Sequence, residues 1–349
     1  MNWNIREITP DDYETLAQFN SNFDSGKRSK EDWIARFKHW WDNNPAFCDG
    51  WIRGYILLYN NLVVGAVASF PTYMLMDGKV IRVFNGTSWR VLNEYRKWSM
   101  DLWLRNRDFS DSYISFNTTP ADNIIPLIKQ FGYIAIPDFG NYISFYILDL
   151  RKLLIPYSFI LVKVFLPLIN KMCLIIQRLH IHLPKTKFIT QIINNDDPRI
   201  DLLWNKTKDI YNFTNVRNLE YMKWIGKNRK IISIEQDNEL IGFSILTEIK
   251  SEKYKYQELS MDDLWFNPNF RVEDVLSSII KFTIQYAKEN KISLIKFPHL
   301  NGEIANSYKK IGLFQKKHSY NYFIKMPKHS SLDSLSKRFF SMLQGDYGV

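Results

Sequence analysis

Apolar and polar positions along the chain form two blocks with the same order of elements. Each block opens with an aromatic-rich stretch at helical spacing, and apolar runs bounded by turn residues follow, which is typical of strands. A longer helix, a short strand, a short helix ending at a glycine and a closing strand complete each block. Strands that precede helices in this way predict an α/β (α+β) fold with mixed sheets flanked by helices. In the two blocks the predicted elements are helices 31–41 and 219–224, strands 54–70, 79–90, 230–247 and 256–266, helices 95–105 and 272–289, strands 112–117 and 293–297, and closing strands 143–148 and 320–325.

Three short motifs recur at a nearly constant offset, which indicates that the blocks are tandem copies of one unit. Each motif is a hairpin, a helix entry or a helix end, and its echo lies 175 to 180 positions later. The pairs are 58–65 with 234–242, 93–96 with 268–271, and 130–133 with 310–313. We therefore expect the halves to superpose, with Gly65 over Gly242, Arg96 over Arg271 and Gly132 over Gly312.

The length of 349 residues also favours two domains over one core. The pattern places an N-terminal domain at 1–150, a helical connector at 151–190, a C-terminal domain at 191–328 and a tail at 329–349. Both domains contain enough apolar and aromatic residues to build a core, since these account for 46% and 15% of the chain.

The connector holds most of the net charge of +10. Seven basic residues and no Asp or Glu lie between Leu150 and Asn195, which leaves +3 for the rest of the chain. On a helix, the polar residues of 153–182 fall within an arc of about 120°, and the remaining surface is apolar apart from Pro156 and Pro167 on the polar side. Three alternatives remain: a helix buried against both cores, an interfacial helix on an anionic membrane, or a membrane span.

Other features of the composition exclude several classes of protein. Cys48 and Cys173 are the two cysteines, and their spacing predicts neither a metal site nor a disulfide framework. The segment from Met1 to Asp12 lacks the pattern of a signal peptide, so we expect a cytoplasmic protein, peripheral on the inner membrane face if the connector binds lipid. Because the net positive charge lies mainly in one apolar segment, we expect no nucleic-acid partner.

One motif resembles a known family. The segment from Val91 to Asp101 follows a predicted strand, opens a helix, and is similar to the acyl-CoA loop of the GNAT superfamily of acetyltransferases. In that family, backbone N–H groups at the helix N-terminus surround the pyrophosphate of CoA. The resemblance implies that acetyl-CoA or another acyl-CoA binds here, with Val91, Tyr95, Arg96, Lys97 and Ser99 as the binding residues. Ser99 and Asp101 depart from the pattern, because they stand where the family has glycine; the Ser99 hydroxyl can donate to phosphate, whereas Asp101 adds a carboxylate.

The second block resembles the family at a different place. It keeps the loop entry up to Arg271, but Glu273 and Asp274 follow where the pyrophosphate would lie, so we expect the donor in the N-terminal block. The stretch from Asn301 to Leu313 is similar to the family's Asn-x-x-Ala-x-x-x-Tyr-x-Lys-x-Gly-Phe. The resemblance implies that Tyr308 protonates the leaving thiolate as a general acid.

The family often places a general base on its fourth or fifth strand. In the second block, Glu258 is the first candidate on these strands. Asp262, Asp263 and His299 are further candidates there. The first block has no carboxylate or histidine on the corresponding strands. Asn117 is therefore its candidate, with Thr118 and Thr119 beside it.

The resemblance implies an acyl-CoA-dependent N- or O-acyltransferase without a metal. We expect a small-molecule or glycan- or lipid-linked acceptor, and the basic apolar connector favours one used in surface-polysaccharide or cell-envelope synthesis. Two alternatives remain. The chain is either a Fem-like aminoacyl transferase, or an inactive scaffold with the same fold.

Overall fold

The structure is a computed structural model that describes residues 3–23, 28–136, 139–155, 160–227, 229–251, 256–317, 322–328, 330 and 337–345. Pro156 lies outside these residues. Two mixed sheets form the framework, and helices cover them. The predicted α/β fold class with two mixed sheets is confirmed.

The first sheet is built mainly by the N-terminal half, in the order β1-β2-β3-β4-β5-β15-β6, with β9 and β16 attached beside β3. Its pairs are antiparallel except β4 with β5 and β9 with β16. The strands are β1 (Trp3–Glu7), β2 (Gly54–Tyr59), β3 (Leu62–Met76), β4 (Lys79–Val91), β5 (Ser115–Asn117), β6 (Ile134–Ala135), β9 (Phe213–Asn215), β15 (Phe323–Lys325) and β16 (Arg338–Phe339).

The second sheet has the order β14-β7-β13-β12-β11-β10-β8. It is also antiparallel except at one pair, β12 with β13. The strands are β7 (Tyr142–Ile147), β8 (Ile189–Ile193), β10 (Lys230–Gln236), β11 (Glu239–Ser251), β12 (Tyr256–Phe266), β13 (Leu294–Pro298) and β14 (Phe314–Lys317).

The helices lie between and around the strands. The α-helices are α1 (Tyr13–Phe23), α2 (Lys30–Phe37), α3 (Ser99–Ser110), α4 (Ile125–Gln130), α5 (Leu150–Leu154), α6 (Ile160–His180), α7 (Arg199–Thr207), α8 (Leu219–Ile225), α9 (Val272–Glu289) and α10 (Gly302–Ile311). A π-helical turn (Lys38–Asp42) extends α2, and short 3-10 helices occupy Pro10–Asp12, Asn93–Trp98 and Lys208–Ile210.

The two closing strands are exchanged between the halves, so the prediction that each closes its own block is wrong. Strand β7 lies between β13 and β14 in the second sheet, where Tyr146 is the partner of Ile295. Strand β15 lies between β5 and β6 in the first sheet, where Ile324 is the partner of Phe116. Both segments are short apolar strands, and their local pattern does not specify which sheet they join. Each sheet is therefore completed by the other half of the chain.

The repeated motifs occupy corresponding places in the strand order. Gly65 on β3 is the partner of the last residue of β4, and Gly242 on β11 is the partner of the last residue of β12. The hairpins before them turn through residue pairs with positive φ, namely Asn60 with Asn61 and Asp237 with Asn238. Positive φ at both central positions gives the tight turn that joins neighbouring antiparallel strands, and Asn and Asp tolerate it. Superposition of the halves as whole units stays a prediction.

Residues 337–345, in the segment predicted as a tail, contribute to the core. Phe340, Met342 and Leu343 are buried, and the N–H of Met342 donates to the carbonyl of Asp262. The Gln344 carboxamide donates to Asn85 Oδ1 and Thr72 Oγ1 in the first sheet and accepts from Asn215. This polar network fixes the end of the described chain against the first sheet.

Helix α6 is the connector helix that the sequence predicts. Leu166 and Gln177 are buried against the body of the protein, but most of its other described side chains are exposed. The alternative of a helix buried against both cores is therefore wrong for these side chains. Among the described residues, no helix combines the length and the apolar character that crossing a membrane requires.

Candidate functional site

A cleft opens in the first sheet where β4 and β5 diverge. The two strands pair at only two positions, Phe84 with Ser115 and Asn85 with Phe116. Further along β4, the register shifts against β3, and Ser88 has a positive φ of 51°. An extra residue of this kind is a β-bulge, which bends the strand and interrupts its pairing. The bulge and the short β5 together leave the end of β4 open toward α3.

A cavity of about 360 Å³ fills this cleft. Helix α3 lines it with one face, because Trp103, Asn106, Arg107 and Ser110 are spaced three and four residues apart. Strand β4 and the segment after β5 form the other walls. The remaining lining residues are Phe23, Val67, Phe84, Gly86, Thr87, Ser88, Trp89, Arg90, Asn117, Thr119, Pro120, Ala121, Ile124 and Tyr133.

Two residues in this wall carry a buried polar atom without a hydrogen bond among the described residues. They are Asn106, through Oδ1, and Trp89, through the indole Nε1. Asn106 is 4% exposed, and leaving an amide oxygen unpaired at such burial costs about 1–3 kcal/mol. Asn106 and Trp89 therefore bring one hydrogen-bond acceptor and one donor, both without partners among the described residues, to the set of residues that line the cavity.

The titratable groups that line the cavity are basic or phenolic. Within the described lining, Arg90, Arg107 and Tyr133 are present, and there is no Asp, Glu or His. The Arg107 guanidinium pairs with Asp108 at 2.7 Å. The Tyr133 hydroxyl lies 2.6 Å from Ser115 Oγ, and burial raises the pKa of Tyr133 to about 12. At neutral pH the charged side chains of the lining are therefore cationic, one of them is paired with Asp108, and the tyrosine is neutral.

The loop that resembles the acyl-CoA loop joins β4 to α3. Val91 is buried against Gly65, and the Tyr95 ring packs on Tyr59 with 5.1 Å between ring centroids. Arg96 and Lys97 are exposed, and the Lys97 ammonium lies 4.1 Å from the centroid of the Trp98 ring.

At the end of this loop, Ser99 is the first residue of α3. Glu94 and Asp101 are exposed beside the basic pair. The loop thus places two cations at the N-terminal end of the helix whose side lines the cavity.

The equivalent loop of the second sheet pairs its charges internally. Arg271 lies 3.9 Å from Asp274, and Lys310 lies 2.9 Å from Glu273. The Glu273 carboxylate accepts a hydrogen bond from Lys310, which lowers the pKa of Glu273. These carboxylates therefore already pair with the basic side chains that an anionic ligand would need.

Tyr308, the predicted general acid, is fully buried in the second half. Its ring centroid lies 5.7 Å from those of Phe297 and His299, and its hydroxyl lies 3.9 Å from Met261 Sδ. Burial raises the pKa of Tyr308. Tyr308 does not line the cavity beside β4, so the structure does not bring it together with the predicted CoA loop.

The predicted bases of the second half are held in buried polar contacts. Glu258 pairs with Lys296, and Asp263 accepts two hydrogen bonds from Arg217 at 2.8 and 2.9 Å. Asp262 is buried, and desolvation raises its pKa to about 6.

His299, the remaining candidate, has Nε2 2.9 Å from Ser144 Oγ. Burial lowers the pKa of His299 to about 4, so it is neutral at pH 7. None of these four candidates lines the cavity beside β4.

The three candidates of the first half lie at the end of β5, and their side chains are on different sides of the chain. Asn117 and Thr119 line the cavity. Thr118, between them, is buried on the other side, against Gly345. Asn117 and Thr119 are thus the predicted catalytic candidates that the structure places in the cavity. Within the described residues, no cluster of His, Cys, Asp and Glu could hold a metal ion.

The whole architecture matches solved structures of acyltransferases. A conserved protein of unknown function from Enterococcus faecalis V583, a probable N-acyltransferase, aligns with a TM-score of 0.59 at 8% identity, over 93% of this chain and 72% of that one. A GCN5-related N-acetyltransferase from Anabaena variabilis aligns with a TM-score of 0.57 at 11% identity, over 93% and 72%. The N-myristoyltransferase of Saccharomyces cerevisiae with bound myristoyl-CoA aligns with a TM-score of 0.54 at 12% identity, over 92% and 77%.

The fold is like that of the GCN5-related N-acetyltransferases and of N-myristoyltransferase. This likeness is one of structure, because the identities are too low to show more than the fold. No protein-family model matches the sequence, and no curated protein matches it. The resemblance seen at the 91–101 loop thus agrees with the fold of the whole described chain.

The sequence patterns do not identify several residues that line the cavity beside β4. Trp89, Trp103, Asn106, Arg107 and Tyr133 line the cavity, but no motif marks them. The available signal was the periodicity of α3, since a helix that follows the loop must turn one face toward the strand it leaves. The spacing of 103, 106, 107 and 110 defines that face.

Proposed function

We propose that this protein is an acyl-CoA-dependent N- or O-acyltransferase whose donor binds in the cavity beside β4. The observation that carries the proposal is the pair of unpartnered polar atoms of Asn106 and Trp89 in the cavity wall. The pantetheine arm of CoA contains two amides, each with one donor and one acceptor. An amide of that arm would supply the partners that both side chains lack.

The charge of the loop supports the same placement of the donor. Arg96 and Lys97 are exposed at the start of α3, and Ser99 adds a hydroxyl donor in the first turn. These groups fit the pyrophosphate of CoA, while Asp101 opposes it. In the second half, Arg271 and Lys310 already pair with carboxylates, which favours the N-terminal half as the donor site.

The thioester of the donor supplies an activated carbonyl, and the proposed reaction is its direct attack by an acceptor amine or hydroxyl. A bond from the acceptor nitrogen or oxygen to the carbonyl carbon forms and the carbon–sulfur bond breaks. The acceptor nitrogen or oxygen gives up one proton, and the departing CoA sulfur takes up one proton and leaves as a thiol. Asn117 and Thr119 would orient the reacting groups through hydrogen bonds, because the described lining contains no carboxylate or histidine to act as a base. Rate enhancement would come mainly from positioning and from polar groups around the carbonyl.

For the acceptor, we propose an amine- or hydroxyl-bearing small molecule or a glycan- or lipid-linked compound in envelope synthesis. The exposed apolar and basic surface of α6 supports an acceptor located near a membrane.

Calorimetric titration of the purified chain with acetyl-CoA and with longer acyl-CoAs tests the donor site. We expect saturable binding of one donor per chain, lost in a variant of the cavity wall. A thiol reagent then detects CoA released when panels of amines and hydroxyl compounds are added. If no acyl-CoA binds at millimolar concentration, the donor assignment is wrong, and the scaffold and aminoacyl-transferase alternatives gain support.

A further inference from the structure

Helix α6 is attached to the protein by one narrow face. The Gln177 carboxamide donates to the Ile147 carbonyl and accepts from its N–H, both at 2.8 Å. Asn170 Oδ1 accepts from the N–H of Leu150 at 2.8 Å, and Leu166 is 3% exposed. These contacts fix the rotation of the helix about its axis, so its other faces are defined too.

The face turned away from these contacts is apolar and exposed. Eight large side chains on it have between 37% and 73% of their surface in solvent. At 100° per residue they occupy neighbouring positions on the helix and cover an arc of about 140°. They are Val164, Phe165, Leu168, Ile169, Met172, Ile175, Ile176 and Leu179. Such a continuous apolar surface on a soluble protein marks a site of interaction.

A strip of three cations borders this apolar face along one edge. Lys163, Lys171 and Arg178 are exposed, and they fall on the arc between the apolar face and the attached face. The sequence has no Asp or Glu from Leu150 to Asn195 that could neutralise them. Lys and Arg side chains have apolar stems and a charged end, so they can reach lipid headgroups from the edge of a buried helix.

We propose that α6 binds parallel to the surface of an anionic membrane, with its apolar face among the acyl chains and its basic strip at the headgroups. From Val164 to Leu179 the face is about 24 Å long. Because Gln177 bonds to Ile147 on β7 and Leu166 is buried on the same side of the helix, α6 can present its apolar face to a membrane without leaving the protein. Binding of this kind combines apolar burial with attraction to anionic lipid.

The basic residues favour a membrane over a second copy of the chain as the partner of the apolar face. Packing two α6 faces together would concentrate six cations at one interface, and the segment provides no acidic partner for them. An anionic membrane instead supplies the opposite charge along the same edge. The basic strip therefore favours lipid over self-association.

Sedimentation with vesicles tests the proposal on the full chain. We expect binding to vesicles of phosphatidylcholine with roughly a third phosphatidylglycerol, and much weaker binding to phosphatidylcholine alone. The triple variant Lys163→Gln, Lys171→Gln and Arg178→Gln should lose affinity for the anionic vesicles about fivefold per charge, or roughly a hundredfold in all. A matched control removes three exposed lysines elsewhere, namely Lys79→Gln, Lys223→Gln and Lys288→Gln, and should retain most of the binding.

A second variant tests the apolar face separately from charge. Phe165→Ser, Leu168→Ser and Ile176→Ser together should abolish vesicle binding. Because these side chains are 51% to 60% exposed, the melting temperature should stay near that of the wild type. Sedimentation velocity without lipid measures self-association of the same proteins.

Three results would overturn the proposal. The first is failure of the wild type to bind anionic vesicles. The second is equal loss of binding in the basic-strip variant and its lysine control. The third is a lipid-free dimer that the serine variant dissociates, which would assign the face to a second copy. Vesicle binding requires no acyl-CoA, so its outcome is independent of the proposed enzymatic activity.

Discussion

Replacement of Asn106 by Leu should raise the stability of the free protein and lower its affinity for the donor. Asn and Leu have the same branching and the same number of side-chain heavy atoms, so the change removes polarity with little change of shape. Asn106 is 4% exposed and its Oδ1 has no hydrogen-bond partner among the described residues. Removing a buried unpaired amide relieves a penalty of about 1–3 kcal/mol, by which the free energy of unfolding should increase.

The effect on binding has the opposite sign. In the proposed complex, Asn106 accepts a hydrogen bond from an amide N–H of the donor. Leu at this position leaves that N–H buried without an acceptor, at a cost of about 1–3 kcal/mol. The dissociation constant for acetyl-CoA should therefore rise by about 5- to 150-fold.

Thermal unfolding without ligand and calorimetric titration with acetyl-CoA measure the two effects on one preparation. Asn20→Leu is the matched control: Asn20 is 1% exposed and also has an unpaired Oδ1, but it does not line the cavity. It should gain stability and bind the donor as the wild type does. Unchanged donor affinity in Asn106→Leu would refute the role of Asn106, and it would leave open whether the cavity binds the donor through other groups.

Three further predictions concern the predicted loop and the buried groups of the second half. Arg96→Glu should weaken acetyl-CoA binding by at least about tenfold, because it places a negative charge beside the phosphates of the donor. Arg271→Glu should leave the affinity unchanged, and the reverse result in titrations would move the donor to the second half. Tyr308→Phe should change the unfolding free energy by less than about 1 kcal/mol, since the Tyr308 hydroxyl contacts only Met261 Sδ among the described hydrogen bonds. Turnover should stay the same, and a large drop in kcat would establish the general-acid role. Asp262 has a pKa raised to about 6, so the folded state binds its proton more tightly than the unfolded state, and stability should fall by about 2 kcal/mol as pH rises from 4 to 6. Asp262→Asn should remove that part of the pH dependence in denaturant melts, and identical profiles for both proteins would show that the pKa is not raised.

The candidate site was only partly predictable. The loop from Val91 to Ser99 was identified by its resemblance to a family motif between a strand and a helix, and the fold of the chain agrees with that resemblance. Tyr308 was found by the same kind of local motif, but the structure buries it in the other half, against Met261 and Phe297. A local motif identifies an element and its type, but it carries no information on which cavity the element faces.

The cavity wall itself depends on tertiary structure. Asn106 is one polar residue on an otherwise ordinary helix, and only its burial and the absence of a partner among the described residues distinguish it. Likewise, the bulge at Ser88 appears in the pairing of β4 with β3 and not in the residue order. Burial and hydrogen bonding involve residues far apart in the chain, so single-sequence patterns cannot report them.

The sequence by itself determined the turns of the two hairpins and the order of the predicted strands and helices around them. Asn60 with Asn61 and Asp237 with Asn238 specify tight hairpins because their local backbone preference permits positive φ. Tertiary structure decided that β7 and β15 exchange sheets, and it decided that α6 attaches through Gln177 and leaves its apolar face exposed. The physical reason is the range of the interactions: turns and periodicity depend on neighbours in the chain, whereas strand partners and exposed faces depend on contacts between distant segments.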